Sequence, residues 1–328
     1  MKRQFLWAML AAMVSGPVLA EFPDKPVTLV VPFAAGGPTD KVARDLAEAL
    51  RGPLGGTVTV ENVAGEGGTA GATKVAKASA DGYTLLVHHI GMATAPLLYR
   101  GLKFKPLEDF EYLGLVNEVP MTLVARPNHP ANSWPELAKW LDGRTDRAQL
   151  AHAGIGSASH LCGLLFQAAR KADLQTTVYK GTGPAMADLI AGKVDLMCDQ
   201  TSNTLSPIEA GKVKAYAVTT SRRLSGPLAK LPTLDEAGLK GFNITIWNGV
   251  YAPKGTPKAV LDKLQDRDAV ARVPEAPARA GRRGGDRCAQ QSRRASQVRA
   301  KRDHPLGPDP EVGRAVRRLA GLSGGVVA

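Results

Sequence analysis

The chain has 328 residues, of which 44% are hydrophobic, so it is long enough for two domains with ordinary buried cores. Its formal net charge of +12 is unevenly distributed: residues 21–265 contain 26 basic and 23 acidic residues, whereas residues 266–328 contain 14 and 7. The nearly neutral body lacks the basic runs interleaved with aromatic residues that are typical of nucleic-acid binding. We therefore expect no nucleic acid among its partners.

An export signal is predicted over residues 1–20. Lys2 and Arg3 form its charged beginning, residues 5–14 its apolar segment and residues 18–20 (VLA) a small-residue cleavage site, so we expect cleavage after Ala20. The alternative is an N-terminal membrane anchor, but the apolar segment is shorter than the roughly 20 residues that a membrane span needs. No Cys follows the cleavage site. The sequence thus predicts a protein exported to the periplasm.

From residue 27 onward, short apolar runs alternate with amphipathic helical patterns, which is typical of βα units and a largely parallel sheet. The first three strands are predicted at residues 27–31, 57–63 and 83–88. After the first strand, Val42, Leu46 and Leu50 recur at helical spacing on one face. A glycine-rich loop at residues 64–71 leads from the second strand into another helix.

A second βα series follows the apolar run 121–125, which we interpret as a crossover into another domain. Its strands are predicted at residues 149–153, 176–179, 194–198 and 213–219, with helices near 134–141, after Ser159 and from Pro184. The run 243–252 and a helix from Pro257 return to the first domain. The prediction is an α/β protein with a hinge of two crossovers. Domain 1 comprises residues 21–123 and 227–265, and domain 2 comprises residues 124–226.

The three cysteines are an odd number for an oxidising compartment. Cys162 lies in an apolar helical pattern and Cys198 at the end of an apolar strand. The spacing of these two residues and Cys288 fits no metal site. We predict that Cys162 and Cys198 are buried free thiols.

Two loops of the same kind stand out, at residues 36–40 (GGPTD) and 154–159 (GIGSAS), each between a predicted strand and a predicted helix. Unpaired backbone N–H groups and the positive end of the helix dipole make such a loop an anion site. Thr39, Ser157 and Ser159 can cap the helices or donate hydroxyl groups. Neither loop contains Lys or Arg, so neutral dipoles would hold the anion. The alternative for either loop alone is a plain βα turn with a helix cap.

Other chemistry is not indicated by these loops. They match neither a phosphate loop nor the dinucleotide fingerprint, so we expect no cofactor, and no metal site is predicted. Ser157 lacks the frame of a nucleophile elbow, and Ser159 and His160 are helix neighbours that do not face each other, so no catalytic residue is predicted. We interpret His88 and His89, at a strand end beside the cleft, as packing or polar wall residues.

Five segments occur in order along the chain: residues 32–40 (PFAAGGPTD), 61–68 (ENVAGEGG), 156–161 (GSASHL), 179–185 (YKGTGPA) and 194–197 (VDLM). Together they resemble the Bug family, the TctC-like substrate-binding components of tripartite tricarboxylate transporters. The resemblance covers about residues 22–265. It implies a type II periplasmic-binding-protein fold whose two domains close on a small carboxylate, held by the two loops and bridging waters.

The resemblance also implies which residues touch the ligand. By position, the contacts are Phe33, Ala35, Thr39, Asp40, Ser157, Ala158 and Ser159, with Gly181, Thr182 and Gly183 beside them. The loop glycines Gly36, Gly37 and Gly156 complete the set, because glycine lets the backbone approach a ligand. The implied partners are a small carboxylate and the membrane subunits of a transporter, and we expect a monomer without enzyme activity. Two alternatives are a receptor that presents its ligand to a sensor kinase and a secreted hydrolase using Ser157 or Ser159.

The segment 266–328 departs from the family. It contains no Phe, Tyr, Trp, Ile or Met, and 13 of its 14 basic residues are Arg, whereas residues 21–265 have 17 Lys and 9 Arg. Such a composition buries little apolar surface. The family would continue here with two helices and a strand, so we infer a reading-frame shift near Gln265 and a poorly ordered tail. The alternative is a genuine basic tail that binds nucleic acid or anionic lipid.

Overall fold

The computed structural model describes residues 22–142 and 148–265. The predicted export signal and the predicted frame-shifted tail lie outside these residues. Within them, no helix is both long and apolar enough to cross a membrane.

The first half of the molecule is organised around a parallel core of three strands: β1 (Val27–Val31), β2 (Val58–Asn62) and β3 (Thr84–His89). β1 lies between the other two and pairs in parallel with both. Helices α1 (Pro38–Leu54) and α2 (Thr69–Ala76) make the βα connections. Because β1 is covered on both faces, four of its five residues are buried, as expected for a parallel strand.

Helix α1 has the amphipathic face that its spacing predicts. Val42, Leu46 and Leu50 are buried against the sheet. The helix begins at Pro38, whose fixed φ suits the first helical position, and it ends at Gly55 in the left-handed conformation. Its N-terminus follows the loop 32–37, which begins at the C-terminal end of β1.

Beyond β3, the sequence pattern missed helix α3 (Gly91–Leu98), which is apolar all round and nearly all buried. The chain then enters the sixteen-residue strand β4 (Phe110–Ala125) and, after it, helix α4 (Trp134–Asp142). The sequence pattern indicates only the last five residues of β4, the apolar run 121–125 that is interpreted above as a crossover, and it does not predict the rest of the strand.

The second half of the molecule contains the remaining strands before the chain returns: β5 (Gln149–His152), β6 (Gln175–Val178), β7 (Leu196–Gln200) and β8 (Lys214–Val218). β5 pairs in parallel with β6 and β7. The next element after each of β5, β6 and β7 is a helix: α5 (Ala158–Arg170), α6 (Thr182–Ile190) and α7 (Thr201–Glu209). The second half thus repeats the strand-to-helix junctions of the first.

The two halves share strand β4. Its residues 110–120 pair with the antiparallel strand β9 (Thr245–Pro253), which also pairs with β3. Its residues 121–125 lie between β7 and β8. The described sheet therefore continues from β2 to β6 through β4, in the order β2-β1-β3-β9-β4-β7-β5-β6. After β9, helix α8 (Lys258–Leu264) closes the described part of the chain; the domain limits stay a prediction.

The largest apolar core passes under both halves. Phe110 and Met121 from β4, Trp247 and Tyr251 from β9, and Phe166 from α5 are among its largest buried side chains. Burying a side chain of this size stabilises a fold by about 1.5–3 kcal/mol. The aromatic groups of β4 and β9 therefore join the halves along their shared strands.

Cys162 in α5 and Cys198 in β7 form a disulfide, with their Cα atoms 6.0 Å apart. The prediction of free thiols is wrong, although both residues are buried as expected. The sequence pattern places each cysteine on the buried face of its element, but it does not indicate that the two faces oppose each other. Cys288 lies outside the described residues.

Replacing both Cys162 and Cys198 by Ala should lower the free energy of unfolding by about 2–4 kcal/mol, because the bond constrains the unfolded chain. The two residues are 36 positions apart. Urea unfolding with and without reductant measures the effect. The double variant should be insensitive to reductant; identical wild-type curves in both conditions, with the disulfide shown to be reduced, would contradict the prediction.

Candidate functional site

A cleft lies between the two halves, at the edge where parallel strands end and helices begin. It encloses about 340 Å³, part of which is open to solvent. Its walls are formed by thirteen residues: Phe33, Ala34, Gly37, Pro38, Thr39, His89, Ala153, Ser157, Ala158, Ser159, Gly181, Thr182 and Gln200. None of these thirteen is an acidic residue, a Lys or an Arg, and burial keeps the one histidine neutral by lowering the pKa of His89 to about 3.

The structure brings most of the predicted ligand-binding residues to this cleft. Those that line it are Phe33, Gly37, Thr39, Ser157, Ala158, Ser159, Gly181 and Thr182. The others, which lie in the same loops and helix starts but not among the lining residues, are Ala35, Gly36, Asp40, Gly156 and Gly183. The predicted anion loops of the two halves therefore do face one space.

Five lining residues were absent from the predicted set: Ala34, Pro38, His89, Ala153 and Gln200. His89 was expected at the cleft border because it ends a strand. Gln200 has the same signal, since it is the last residue of β7 before α7. A search for polar residues at every strand end would have found it.

Asp40 holds the first loop in place. Its buried carboxylate accepts hydrogen bonds from the Gly36 N–H (2.9 Å), from Asn62 Nδ2 (2.8 Å) and from Arg44 Nε (2.8 Å). Asn62 Nδ2 also donates to the Phe33 carbonyl (3.1 Å). Burial alone would raise the pKa of this carboxyl, but the hydrogen bonds, that from Arg44 foremost, bring the pKa below its usual value. The Asp40 side chain is thus a positioning group.

The serines of the second loop also bond within the protein. Ser157 Oγ caps α5 by accepting from the His160 N–H (3.2 Å), and Ser159 Oγ accepts from the Ala153 N–H (2.9 Å). The His160 ring accepts the Gly156 N–H at Nδ1 (3.1 Å). Gly156 has φ 81°, a conformation that favours glycine. These bonds fix the loop through its side chains.

The first helical residues of α1, α5 and α6 keep backbone N–H groups without an acceptor. Helix geometry leaves such groups unpaired at every N-terminus, and here side-chain caps or loop turns occupy only some of them. Among the described residues, six N–H groups at these three helix starts have no hydrogen-bond acceptor: those of Thr39, Asp40, Ala158, Ser159, Thr182 and Gly183. Three positive helix ends therefore meet at one uncharged cleft.

His88 and His89 form the wall behind Phe33. The Phe33 ring stacks on His89, with ring centroids 4.6 Å apart, and meets His88 edge-on. Each imidazole accepts a backbone N–H at Nδ1, from His89 and Gly91 respectively, both at 2.8 Å. Each neutral ring therefore carries its proton on Nε2. This geometry agrees with their interpretation as cleft-wall residues.

The rim of the cleft joins the two halves by direct contact. Tyr99 OH donates to the Ile155 carbonyl (2.7 Å). Gly67, in the turn before α2, approaches the same carbonyl so closely that a Cβ atom there would lie 1.6 Å from the oxygen. The structure therefore has the two halves closed against each other.

Comparison with known proteins shows the family of this chain. Residues 42–284 match the model of the tripartite tricarboxylate transporter family receptor, TctC. The chain belongs to this family. A UPF0065 protein of Agrobacterium vitis is 45% identical to it over 270 residues, 81% of this chain and 78% of that protein. The TctC match extends past Gln265, and the frame shift stays a prediction.

Solved structures confirm both the family resemblance and the predicted fold. The periplasmic binding protein BugD is 48% identical, with a TM-score of 0.78 over 85% of this chain and 97% of that chain. MatC from Rhodopseudomonas palustris, with bound malate, is 38% identical, with a TM-score of 0.77 over 84% of this chain and 98% of that chain. A further R. palustris protein, with adipate, is 29% identical, with a TM-score of 0.78 over 92% and 99%. This TctC-family chain thus has the Bug-type periplasmic-binding-protein fold.

Asp199 should make stability depend on pH. It is fully buried beside the cleft, where Oδ2 accepts from Asn203 Nδ2 (2.7 Å) and Oδ1 has no hydrogen-bond partner among the described residues. Burial raises its pKa to about 7, whereas an unfolded chain gives about 4. Between these values the folded state binds more protons, so this residue makes the free energy of unfolding fall as pH rises from about 4 to about 7.

Urea unfolding at about pH 5 and about pH 8 measures this slope. Asp199→Asn should flatten it and be the more stable protein at the higher pH. Asp45→Asn is a matched control, because Asp45 is half-buried on α1 and makes no hydrogen bond or ion pair with a described residue. An Asp199→Asn variant with the wild-type slope would show that this carboxyl does not titrate in that range.

Proposed function

We propose that this TctC-family receptor is a periplasmic solute-binding protein. It captures a small carboxylate between its two halves and delivers it to a tripartite tricarboxylate-type membrane transporter. The observation that carries the proposal is the set of unpaired N–H groups at three helix starts, of which those of Thr39, Ala158, Ser159 and Thr182 belong to residues that line a cleft without a charged side chain.

Backbone donors favour an anion here for two reasons. Each helix start contributes roughly 0.3–2 kcal/mol toward a negative charge, and N–H groups can bond to carboxylate oxygens directly. Because no Lys or Arg lines the cleft, the backbone N–H groups would take the place of a positively charged side chain. The malate in MatC and the adipate in the R. palustris relative support a carboxylate.

The serine hydrolase alternative lacks a base. Among the described residues, neither the Ser157 nor the Ser159 hydroxyl contacts an imidazole nitrogen. His160 Nδ1 already accepts the Gly156 N–H. We therefore propose binding without catalysis. The family description favours a transporter over a sensor kinase as the recipient, and we propose that the receptor acts as a monomer.

Removing the negative charge of the ligand should weaken binding more than changing its length. Calorimetry of the full chain with malate, succinate and adipate identifies an acid that binds, and the diamide of that acid should bind at least about a hundredfold more weakly, because several charge-assisted hydrogen bonds are lost. An acid longer by one methylene should change affinity less. Equal affinity for the acid and its diamide would exclude the proposed grip.

Ala158→Pro should weaken binding of the same acid by about 1–3 kcal/mol, because it removes one N–H donor from the grip. Proline is tolerated at the first helical position, which Pro38 already occupies in α1, so the fold should persist. Ser157→Ala is the matched control: it removes the helix cap and lowers stability by about 1 kcal/mol, but it keeps every backbone donor. Unchanged affinity in Ala158→Pro would show that α5 does not hold the ligand.

A further inference from the structure

The cleft contains one polar side chain that a carboxylate grip does not use. Gln200, the last residue of β7, lines the cleft and is only 2% exposed. Its Oε1 is buried and has no hydrogen-bond partner among the described residues. A buried carbonyl oxygen without a donor costs free energy, so such a group points to a missing partner.

The position of Gln200 is fixed by its surroundings. Its backbone pairs with Met121 in β4, and its carbonyl accepts from Thr204 Oγ1 (3.3 Å). Two residues earlier, the disulfide of Cys198 anchors the same strand to α5. The side-chain amide of Gln200 is therefore attached to a rigid strand end at the cleft and is not a flexible group on the surface.

The walls of the cleft do not supply the missing donor. Oε1 has no hydrogen-bond partner among the described residues, so neither a hydroxyl nor a backbone N–H of the lining residues donates to it, and no Lys or Arg lines the space. A carboxylate cannot supply it either, because an ionised carboxylate only accepts hydrogen bonds. The donor therefore comes from a water molecule or from another part of the ligand, and the binding experiment below distinguishes these two sources.

We infer that Gln200 is a specificity residue that selects carboxylates carrying a hydrogen-bond donor, a hydroxyl or an amino group. The inference rests on the proposed function and adds a substrate class to it. An acid without such a substituent leaves Oε1 unpaired, and sites built to bond a hydroxyl or amino group discriminate strongly against analogues that lack it. A hydroxyl can also accept from the amide nitrogen, whereas an ammonium group only donates.

Calorimetry of the full chain with malate, aspartate and succinate tests this, because these four-carbon acids differ only in a hydroxyl, an amino group or a hydrogen. Lactate, alanine and propionate provide the same comparison at three carbons. The better of the two donor-bearing acids should bind at least about tenfold more tightly than its unsubstituted analogue. Which of the two binds better identifies the donor.

Gln200→Met keeps the length of the side chain and removes the amide. In this variant, the affinity for the preferred acid should fall to that for its unsubstituted analogue, while the affinity for the analogue stays within about twofold. Gln175→Met is the control, because Gln175 is exposed on the edge strand β6 and should keep the preference. Thermal unfolding of both variants shows whether they fold.

Equal binding of substituted and unsubstituted acids by the wild-type chain would overturn the inference whether or not Gln200→Met folds. That result is also expected if a bound water pairs with Oε1. It would leave the proposed function intact, since the carboxylates would still bind. No binding of any of the six compounds, nor of adipate, would instead count against the carboxylate receptor itself, and the inference would fail with it.

Discussion

The cleft depends on a constraint of the polypeptide backbone: a helix that follows a strand through a short loop cannot pair its first N–H groups within itself. This chain makes such a junction after β1, β5 and β6 and points all three toward one space. The continuous strand β4 makes this possible, because it belongs to the sheet of each half and fixes their facing edges. The grouping of the backbone N–H donors thus follows from the strand that the two halves share.

Side chains around the cleft serve the backbone donors indirectly. Asp40 fixes the first loop through Gly36 and Asn62, and the two loop serines fix the second. The charge of Asp40 is balanced by Arg44 outside the cleft lining. This arrangement keeps charged side chains out of the cleft lining while using them to fix the loop.

Much of the fold could be predicted from the sequence, because local patterns determine it. The apolar run of β1 and the spacing of Val42, Leu46 and Leu50 in α1 are properties of single elements. The early part of β4 was missed because Gly114, Asn117 and Pro120 interrupt its apolar pattern and register shifts bend it. The Cys162–Cys198 bond was missed because it depends on how two elements face each other.

In the candidate site, too, features of single segments could be predicted from the sequence, whereas features that depend on how segments meet could not. Glycine-rich loops between strands and helices signal the N–H donors, but Gln200 contributes through a polar atom whose isolation is visible only once the walls around it are known.

The turn at Gly67 determines how far the halves can approach. With hydrogen as its side chain, this residue rests against the Ile155 carbonyl, and any Cβ atom would collide with that oxygen. A larger residue there would keep the two halves apart at the rim. Water would then reach the backbone N–H donors of the cleft, which the closed rim shields. Dissociation rates, rather than encounter rates, carry most affinity differences between related complexes. A glycine at this position would therefore slow the dissociation of a bound ligand.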